Sequence, residues 1–163
     1  MKYDVVALGE LLIDFTIDGK SNQGNNTYEA NPGGAPCNVL AMLNKMNKKT
    51  AFIGKVGNDA FGQILKKTID DVGIDSKGLM FDEHVNTTLA FVNIDENGER
   101  SFSFYRNPGA DMMLTEEEVD FKIIKNAKIF HFGTLSMTHE KVRIATKWAI
   151  DEAKKRNILI SFD

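Results

Sequence analysis

Two carboxylates follow the first apolar run of the chain. Glu10 and Asp14 come directly after residues 5–8, a continuous apolar run typical of a strand buried on both faces of a parallel sheet. In open α/β sheets ligands bind beyond the carboxyl ends of the strands, so both acids fall where chemistry would take place. Asp14 stands in an otherwise apolar stretch and needs a partner, because an unpaired buried charge is costly. Ligand binding and the capping of a local turn both fit Asp14.

A glycine pair and a side-chain amide precede the next helical pattern. Gly33 and Gly34 have no Cβ, so their backbone amides can approach a ligand closely. Pro36 suits the first turn of a helix, and Asn38 lies in the same turn. Free amides and a side-chain amide at a helix N-terminus suit polar ligand groups. A tight turn with a structural role only is the alternative.

Three other patterns that could do chemistry are rejected. Gly19-Lys20-Ser21 resembles the end of a phosphate-binding loop, but that motif needs a glycine at position 14, where this chain has aspartate. The glycines at 54, 57 and 62 do not match the dinucleotide-binding spacing, so no nicotinamide cofactor is expected. The histidines at 84, 131 and 139 lack metal-ligand spacing, so no metal site is predicted.

Composition and charge narrow the classes of partner. A formal net charge of −3 over 163 residues gives no reason to expect nucleic acid or an anionic membrane. Cys37 is the only cysteine, which excludes an internal disulfide and fits a reducing cytosol. Acidic residues at 4, 10 and 14 interrupt the N-terminal apolar run, and no stretch has the apolar length of a membrane span. We therefore expect a cytoplasmic protein.

The elements that must position these residues alternate between strands and helices. Strands are predicted over 5–8, 50–56, 128–132 and 158–162, and residues 18–27 are predicted to form a polar loop. Asp59 is a predicted N-cap, and Gly73 is predicted to end the same helix. Strand and helix in alternation predict an α/β fold with a parallel sheet. The predicted inner faces of three helices are Val39, Leu40, Leu43 and Met46; Phe61, Leu65, Ile69 and Val72; and Val142, Ala145, Ala149 and Ala153.

The pattern changes between residues 87 and 106. Two alternating strands flank Asn97-Gly98, a strong signal for a hairpin turn. A hairpin after strand–helix units suggests a small sheet apart from the main one, with an edge hairpin of the main sheet as the alternative. Arg106 lies beside an aromatic face, which favours a hairpin that acts as a lid and covers a ligand. Farther on, Thr115 and Glu118 form a predicted capping box, and Trp148 is assigned to packing.

The ordered motifs resemble the pfkB, or ribokinase-like, family of sugar kinases, and are most similar to its fructokinases. The resemblance covers residues 4–163. It implies a ribokinase-like three-layer α/β/α fold with a mainly parallel central sheet. A small antiparallel β lid would comprise residues about 14–31 and 87–106. The motifs are Gly9-Glu10 with Asp14, Gly33–Asn38, Gly54–Gly62, Thr88–Val92, Gly98–Phe102, Phe104–Asp111 and Phe130–Ser136.

The resemblance implies ATP-dependent phosphorylation of the primary hydroxyl of a sugar, with Mg²⁺ on the phosphates. Hydroxyl groups of the sugar would contact the Asp14 carboxylate, the Gly33-Gly34 turn and the Asn38 side-chain amide. The lid would close over the sugar. The implied substrate-binding residues are Asp14, Gly33, Gly34, Asn38, Arg106, Phe91 and Phe104.

The resemblance also implies that this chain is the N-terminal, sugar-binding half of the kinase. The family's catalytic aspartate and its ATP pocket would lie beyond Asp163, so no catalytic, cofactor-binding or metal-binding residue is assigned here, and the chain alone is expected to be inactive. A homodimer through the lid is expected by the same resemblance. Two alternatives stay open: a related kinase for 2-keto-3-deoxygluconate, ribose or a nucleoside, and a non-catalytic sugar-binding or dimerisation module.

Overall fold

The computed structural model describes residues 2–94 and 97–163. Its strands lie in two separate sheets, and its longer helices pack on the first of them. The strands are β1 (Tyr3–Leu8), β2 (Leu12–Lys20), β3 (Asn26–Gly33), β4 (Thr50–Gly57), β5 (Asp75–Asp82), β6 (Leu89–Ile94), β7 (Arg100–Tyr105), β8 (Ala127–Phe132) and β9 (Leu159–Phe162). The helices are α1 (Ala35–Lys45), α2 (Ala60–Val72), α3 (Phe121–Ile124) and α4 (Glu140–Lys154), with short 3-10 turns at Ala110–Met113, Glu116–Glu118 and Thr134–Met137.

The main sheet is parallel and has the order β5-β4-β1-β8-β9. Alternate residues of β1 face two different cores: Val6 and Leu8 pack beneath α4, and Val5 and Ala7 pack beneath α1 and α2. A strand covered on both faces is rich in apolar residues, as β1 is over residues 5–8. The predicted three-layer α/β/α architecture is therefore confirmed. The buried helix residues of these cores include Leu40, Leu65, Ile69, Val142, Ala145, Ala149 and Ala153.

The second sheet, which we call the lid, has the order β3-β2-β6-β7. It stands apart from the main sheet, as predicted, and its strands lie within residues 12–33 and 89–105. The expectation of an antiparallel lid is wrong in one respect, because β2 and β6 pair in parallel. Both strands enter the lid from the carboxyl edge of the main sheet, β2 after β1 and β6 after β5, so they run in the same direction.

The predicted polar loop over 18–27 is also wrong in extent. β2 continues to Lys20 and β3 begins at Asn26, which leaves only residues 21–25 for the turn. At the end of this ladder, Lys20 Nζ donates to Asn26 Oδ1 at 3.0 Å. In the predicted hairpin turn between β6 and β7, residues 95 and 96 lie outside the described residues.

The helix predictions hold except at one end. α1 buries Pro36, Cys37 and Leu40, whereas Met46, predicted on its inner face, is 60% exposed. The helix ends at Lys45, so Met46 no longer follows the helical spacing. Gly73 ends α2 in the left-handed region, with φ of 91°. Trp148 packs against the core beneath α4, and Glu118 Oε2 accepts a hydrogen bond from the Thr115 backbone N–H, as the predicted capping box requires. In the part of the chain that the structure describes, no helix has the length and apolar character needed to span a membrane.

Asp59 caps α2 and also fixes the segment that leads into the lid. Its carboxylate accepts hydrogen bonds from the Gly62 N–H, the Thr87 N–H and the Thr87 hydroxyl, each at 2.8 Å. Burial on its own would raise the pKa of Asp59, but these hydrogen bonds outweigh it and lower the pKa. The ionised carboxylate therefore stabilises the folded state.

We predict that Asp59→Ala lowers the free energy of unfolding by about 1–2 kcal/mol at pH 7, the usual cost of a lost cap. The folded pKa is lowered, so the contribution is present above the ordinary aspartate pKa of about 3.9. It is lost as the pH falls further, through the folded pKa. Urea unfolding at pH 7 and below pH 4 measures both effects. The control, Asp151→Ala, removes an exposed acid of α4 and should change the free energy by less than about 0.5 kcal/mol. A pH-independent difference for Asp59→Ala would contradict the prediction.

Candidate functional site

The candidate site lies where the ends of β1 and β8 meet the start of α1. Pro36, buried in the first turn of α1, is the point of contact. A Cβ built on Gly9, just after β1, would lie 2.5 Å from Pro36 Cγ, and one on Gly133, just after β8, would lie 3.1 Å from it. The start of α1 is thus wedged against the carboxyl edge of the parallel sheet, the edge at which such sheets bind ligands.

Asp14 lies beside the glycine turn. A Cβ on Gly33 would come 2.2 Å from Asp14 Oδ2, so the carboxylate occupies the space that a side chain at position 33 would need. Burial raises the pKa of Asp14, which is half-buried. Among residues 2–94 and 97–163, none donates a hydrogen bond to this carboxylate. Its oxygens are therefore available to donors on a ligand, such as sugar hydroxyl groups.

The other two predicted residues of the turn lie close by in the chain. Gly34 has φ of 117°, a conformation that favours glycine. A Cβ there would also lie 2.4 Å from the Glu10 carbonyl oxygen. Asn38 is exposed and lines a small cavity between α1 and α2 that also includes Gly33 and Cys37. Asp14 lines a different concave surface, so the convergence of Asp14 and Asn38 on one ligand stays a prediction.

Strand register decides which aromatic side chains share a face with Asp14. Asp14 pairs with Ala90, which pairs with Phe104, so Asp14 and Phe104 lie on the same face of the lid. Phe91 is one residue farther along β6 and therefore lies on the opposite face. There it stacks on Phe15, with ring centroids 5.0 Å apart. The structure thus brings Phe104, but not Phe91, to the side of the lid that carries Asp14.

Arg106 follows β7 and binds a buried carboxylate. Its Nε and Nη2 donate to Asp111 Oδ2 at 2.8 and 2.6 Å, and the two side chains are 10% and 3% exposed. Nη1 donates to the Thr138 hydroxyl at 3.0 Å, and Nη2 also donates to the Leu135 carbonyl at 3.1 Å. The guanidinium group therefore ties the end of the lid to the body, and its contact with a sugar stays a prediction.

Asp111 holds the other end of the same hairpin as well. The hydroxyl of Thr88, the residue before β6, donates to Asp111 Oδ1 at 2.5 Å. Thr88 enters the lid and Arg106 leaves it, so a single carboxylate fixes both crossings between lid and body. Sequence reasoning quoted this segment as a motif but gave Asp111 no role, because the contact joins residues 23 positions apart.

Two further polar side chains adjoin Asp14. Asn31 of β3 is its register partner, and Asn31 Nδ2 donates to the Thr16 hydroxyl at 3.0 Å. Together with Val92, Arg100 and Phe102, these side chains line a concave surface of about 280 Å³. The alternation of β2 would have placed Thr16 with Asp14, but Asn31 becomes a neighbour only once the pairing of β2 with β3 is known.

Glu10 is the buried acid of the site. It is 3% exposed, and its Oε1 accepts a hydrogen bond from the Ala35 backbone N–H at 2.9 Å. Its Oε2 is buried and has no hydrogen-bond partner in the described part of the chain. Burial raises the pKa of Glu10, although the hydrogen bond from Ala35 opposes this. Sequence analysis placed Glu10 at the strand end without giving it a function.

Known proteins resemble this chain in sequence and in fold. Residues 2–162 match the family described as pfkB family carbohydrate kinase. Fructokinase-2 of Oryza sativa subsp. japonica is 46% identical over 161 residues, which are 98% of this chain and 48% of that protein. The fructokinase from Xylella fastidiosa superposes with a TM-score of 0.92 at 32% identity, covering 100% of this chain and 50% of that one.

A second Xylella fastidiosa fructokinase structure, with bound ATP, has a TM-score of 0.90 at 31% identity and covers 99% of this chain and 51% of that one. The chain therefore spans about half the length of the relatives that it matches.

We predict that Arg106→Leu lowers the free energy of unfolding by about 3–5 kcal/mol, because it leaves the buried Asp111 carboxylate without its cation. Urea unfolding at pH 7 measures this loss. The matched control is Lys67→Ala, which breaks an exposed ion pair with Asp71 on α2 and should cost less than about 1 kcal/mol. Weaker sugar binding with stability unchanged would instead identify Arg106 as a ligand of the sugar and not as a structural tie.

Proposed function

The chain belongs to the pfkB family of carbohydrate kinases, and on this premise we propose that it provides the sugar-binding part of an ATP-dependent kinase of the fructokinase type. The proposal rests on one observation: a carboxylate that receives no hydrogen bond from the described residues lies beside a turn whose residues have no side chains. Asp14 Oδ2 lies where a Cβ of Gly33 would otherwise be. A carboxylate accepts hydrogen bonds from two hydroxyl groups, and the absence of a side chain at Gly33 lets this carboxylate lie beside the turn.

The proposed reaction is transfer of the γ-phosphoryl group of ATP to a primary hydroxyl of the sugar, with Mg²⁺ on the phosphates. Among residues 2–94 and 97–163, no group of three or more His, Cys, Asp or Glu side chains could hold a metal ion. We assign no nucleotide ligand, Mg²⁺ ligand or general base to the described residues. Its residues would bind and orient the sugar, and closure of the lid would exclude water that competes for the phosphoryl group.

The lid could also pair two copies of the protein, as the family resemblance implies. All residues of β7 are exposed, and Phe102, Phe104 and Tyr105 are each more than half exposed. Their exposure supports the proposal of a homodimer through the lid, which sedimentation of the purified protein would test.

The protein at its natural length is expected to convert fructose and ATP to fructose phosphate and ADP in the presence of Mg²⁺. A coupled assay for ADP, with identification of the sugar phosphate, measures this. Turnover of 2-keto-3-deoxygluconate, ribose or a nucleoside in preference to fructose would replace the proposed substrate class. Sugar binding that ATP does not affect, with no turnover, would favour a binding module. The 163-residue chain assayed alone is expected to give no turnover.

Asp14→Asn is expected to weaken fructose binding at least about tenfold, because the amide offers one acceptor oxygen in place of two and the charge is lost. The fold should survive. The pKa of Asp14 is raised by burial, so ionisation at pH 7 costs stability in the folded state, and the neutral amide removes that cost. Titration calorimetry with fructose and thermal unfolding at pH 7 measure both quantities. The control Asp18→Asn changes an exposed acid of β2, and its fructose affinity should equal that of the unaltered protein. Unchanged affinity in Asp14→Asn would remove Asp14 from the site.

A further inference from the structure

The N-terminus of α1 is capped by a residue from a different part of the chain. Helix N-termini usually gain their cap from the side chain of the N-cap residue. In α1 that residue is Gly34, which has no side chain. Glu10 supplies the acceptor in its place, through the 2.9 Å hydrogen bond from the Ala35 N–H to Glu10 Oε1. The helix is thereby joined to the loop after β1, 25 residues earlier in the chain.

Because Glu10 supplies the cap, the turn needs no capping side chain of its own. Any Cβ at Gly34 would collide with the Glu10 carbonyl oxygen, and any at Gly33 with the Asp14 carboxylate. The turn therefore cannot supply its own cap, because a capping side chain at position 34 does not fit. The cap of α1 therefore comes from Glu10 and not from a side chain of the turn.

We propose that Glu10 is a positioning residue of the sugar site: its carboxylate holds the start of α1, and with it the Gly33–Gly34 turn, against the end of β1. The inference rests on the proposed function, since it assigns Glu10 to the binding of the same sugar. Glu10 itself is 3% exposed and lies beneath the turn, so it acts through the turn and does not touch the sugar.

The second oxygen of Glu10 separates this role from simple stabilisation. Oε2 is buried without a hydrogen-bond partner in the described residues, and a buried, unsatisfied carboxylate oxygen costs stability. The nearby buried Asp111 carboxylate adds to this cost, and Arg106 offsets part of it. A leucine of similar size would fill the same space without the unsatisfied oxygen. Stability alone therefore does not account for a glutamate at this position, whereas a cap placed at the ligand turn does.

The test uses Glu10→Leu, Glu10→Asp and Glu10→Gln in the protein at its natural length, with KM for fructose, kcat and thermal unfolding measured for each. Glu10→Leu removes the acceptor, and Glu10→Asp withdraws it by one methylene. Both should raise KM about tenfold, the effect expected when a cap of typical strength is lost from the binding turn. For Glu10→Leu the melting temperature should change little, because the loss of the cap is offset by removal of the unsatisfied oxygen. Glu10→Gln retains the acceptor oxygen and should restore KM to within about twofold of the unaltered enzyme.

The matched control is Asp120→Ala, which removes the cap of α3, where the Asp120 carboxylate accepts from the Lys122 N–H at 2.8 Å. It should lower the melting temperature and leave KM unchanged. Unchanged KM in Glu10→Leu would overturn the inference, and if that variant does not fold, unchanged KM in Glu10→Asp would do so. A fall in melting temperature with KM unaffected would likewise reduce Glu10 to a structural residue. If the unaltered enzyme does not phosphorylate fructose, the proposed function fails first and the inference falls with it.

Discussion

The hydrogen bond between Glu10 and the Ala35 N–H is the contact on which the geometry of the site depends. It joins the first strand of the main sheet to the helix that follows the lid strands β2 and β3. The chain leaves the body after β1 and returns to it at α1. This one hydrogen bond therefore fixes both ends of the segment that forms β2 and β3. The packing of Pro36 against Gly9 supports the same junction with apolar contact. The position of the Gly33–Gly34 turn is thus set by the body and not by the lid.

The second excursion into the lid is fixed by the same physical means. Asp111 receives Thr88 at the entrance of the hairpin and Arg106 at its exit. Buried ion pairs contribute little net stability, but they specify one geometry because the loss of either partner is costly. Two buried acids, Glu10 and Asp111, therefore fix the four crossings between body and lid.

The fold could be predicted from the sequence further than the site could. Apolar runs and helical spacing depend on neighbouring residues, and they located β1, α2 and α4 correctly. The roles of Glu10, Asn31 and Asp111 depend on contacts across 25, 17 and 23 positions of the chain, which no local pattern encodes. The placement of Phe91 on the face opposite Asp14 has the same origin, since the face of a lid strand follows from its register and not from its composition. The mixed pairing of the lid strands follows from the order in which they leave the body. It too could be predicted only once the topology was known.

The hydrophobic cores offset the free-energy cost of the polar groups in the site that lack hydrogen-bond partners among the described residues. The body is built on strands whose alternate residues fill two cores, and β1 alone contributes five buried hydrophobic side chains to them. Such a body can support a half-buried Asp14 without a hydrogen-bond partner and a Glu10 with one unsatisfied oxygen. The lid face around Asp14, in contrast, has exposed aromatic and polar side chains that contribute little to either core. Under the proposed function, changes at Phe104 or Asn31 would alter which sugar is bound while the fold persists, whereas changes at Glu10 would alter the position of the turn for every sugar.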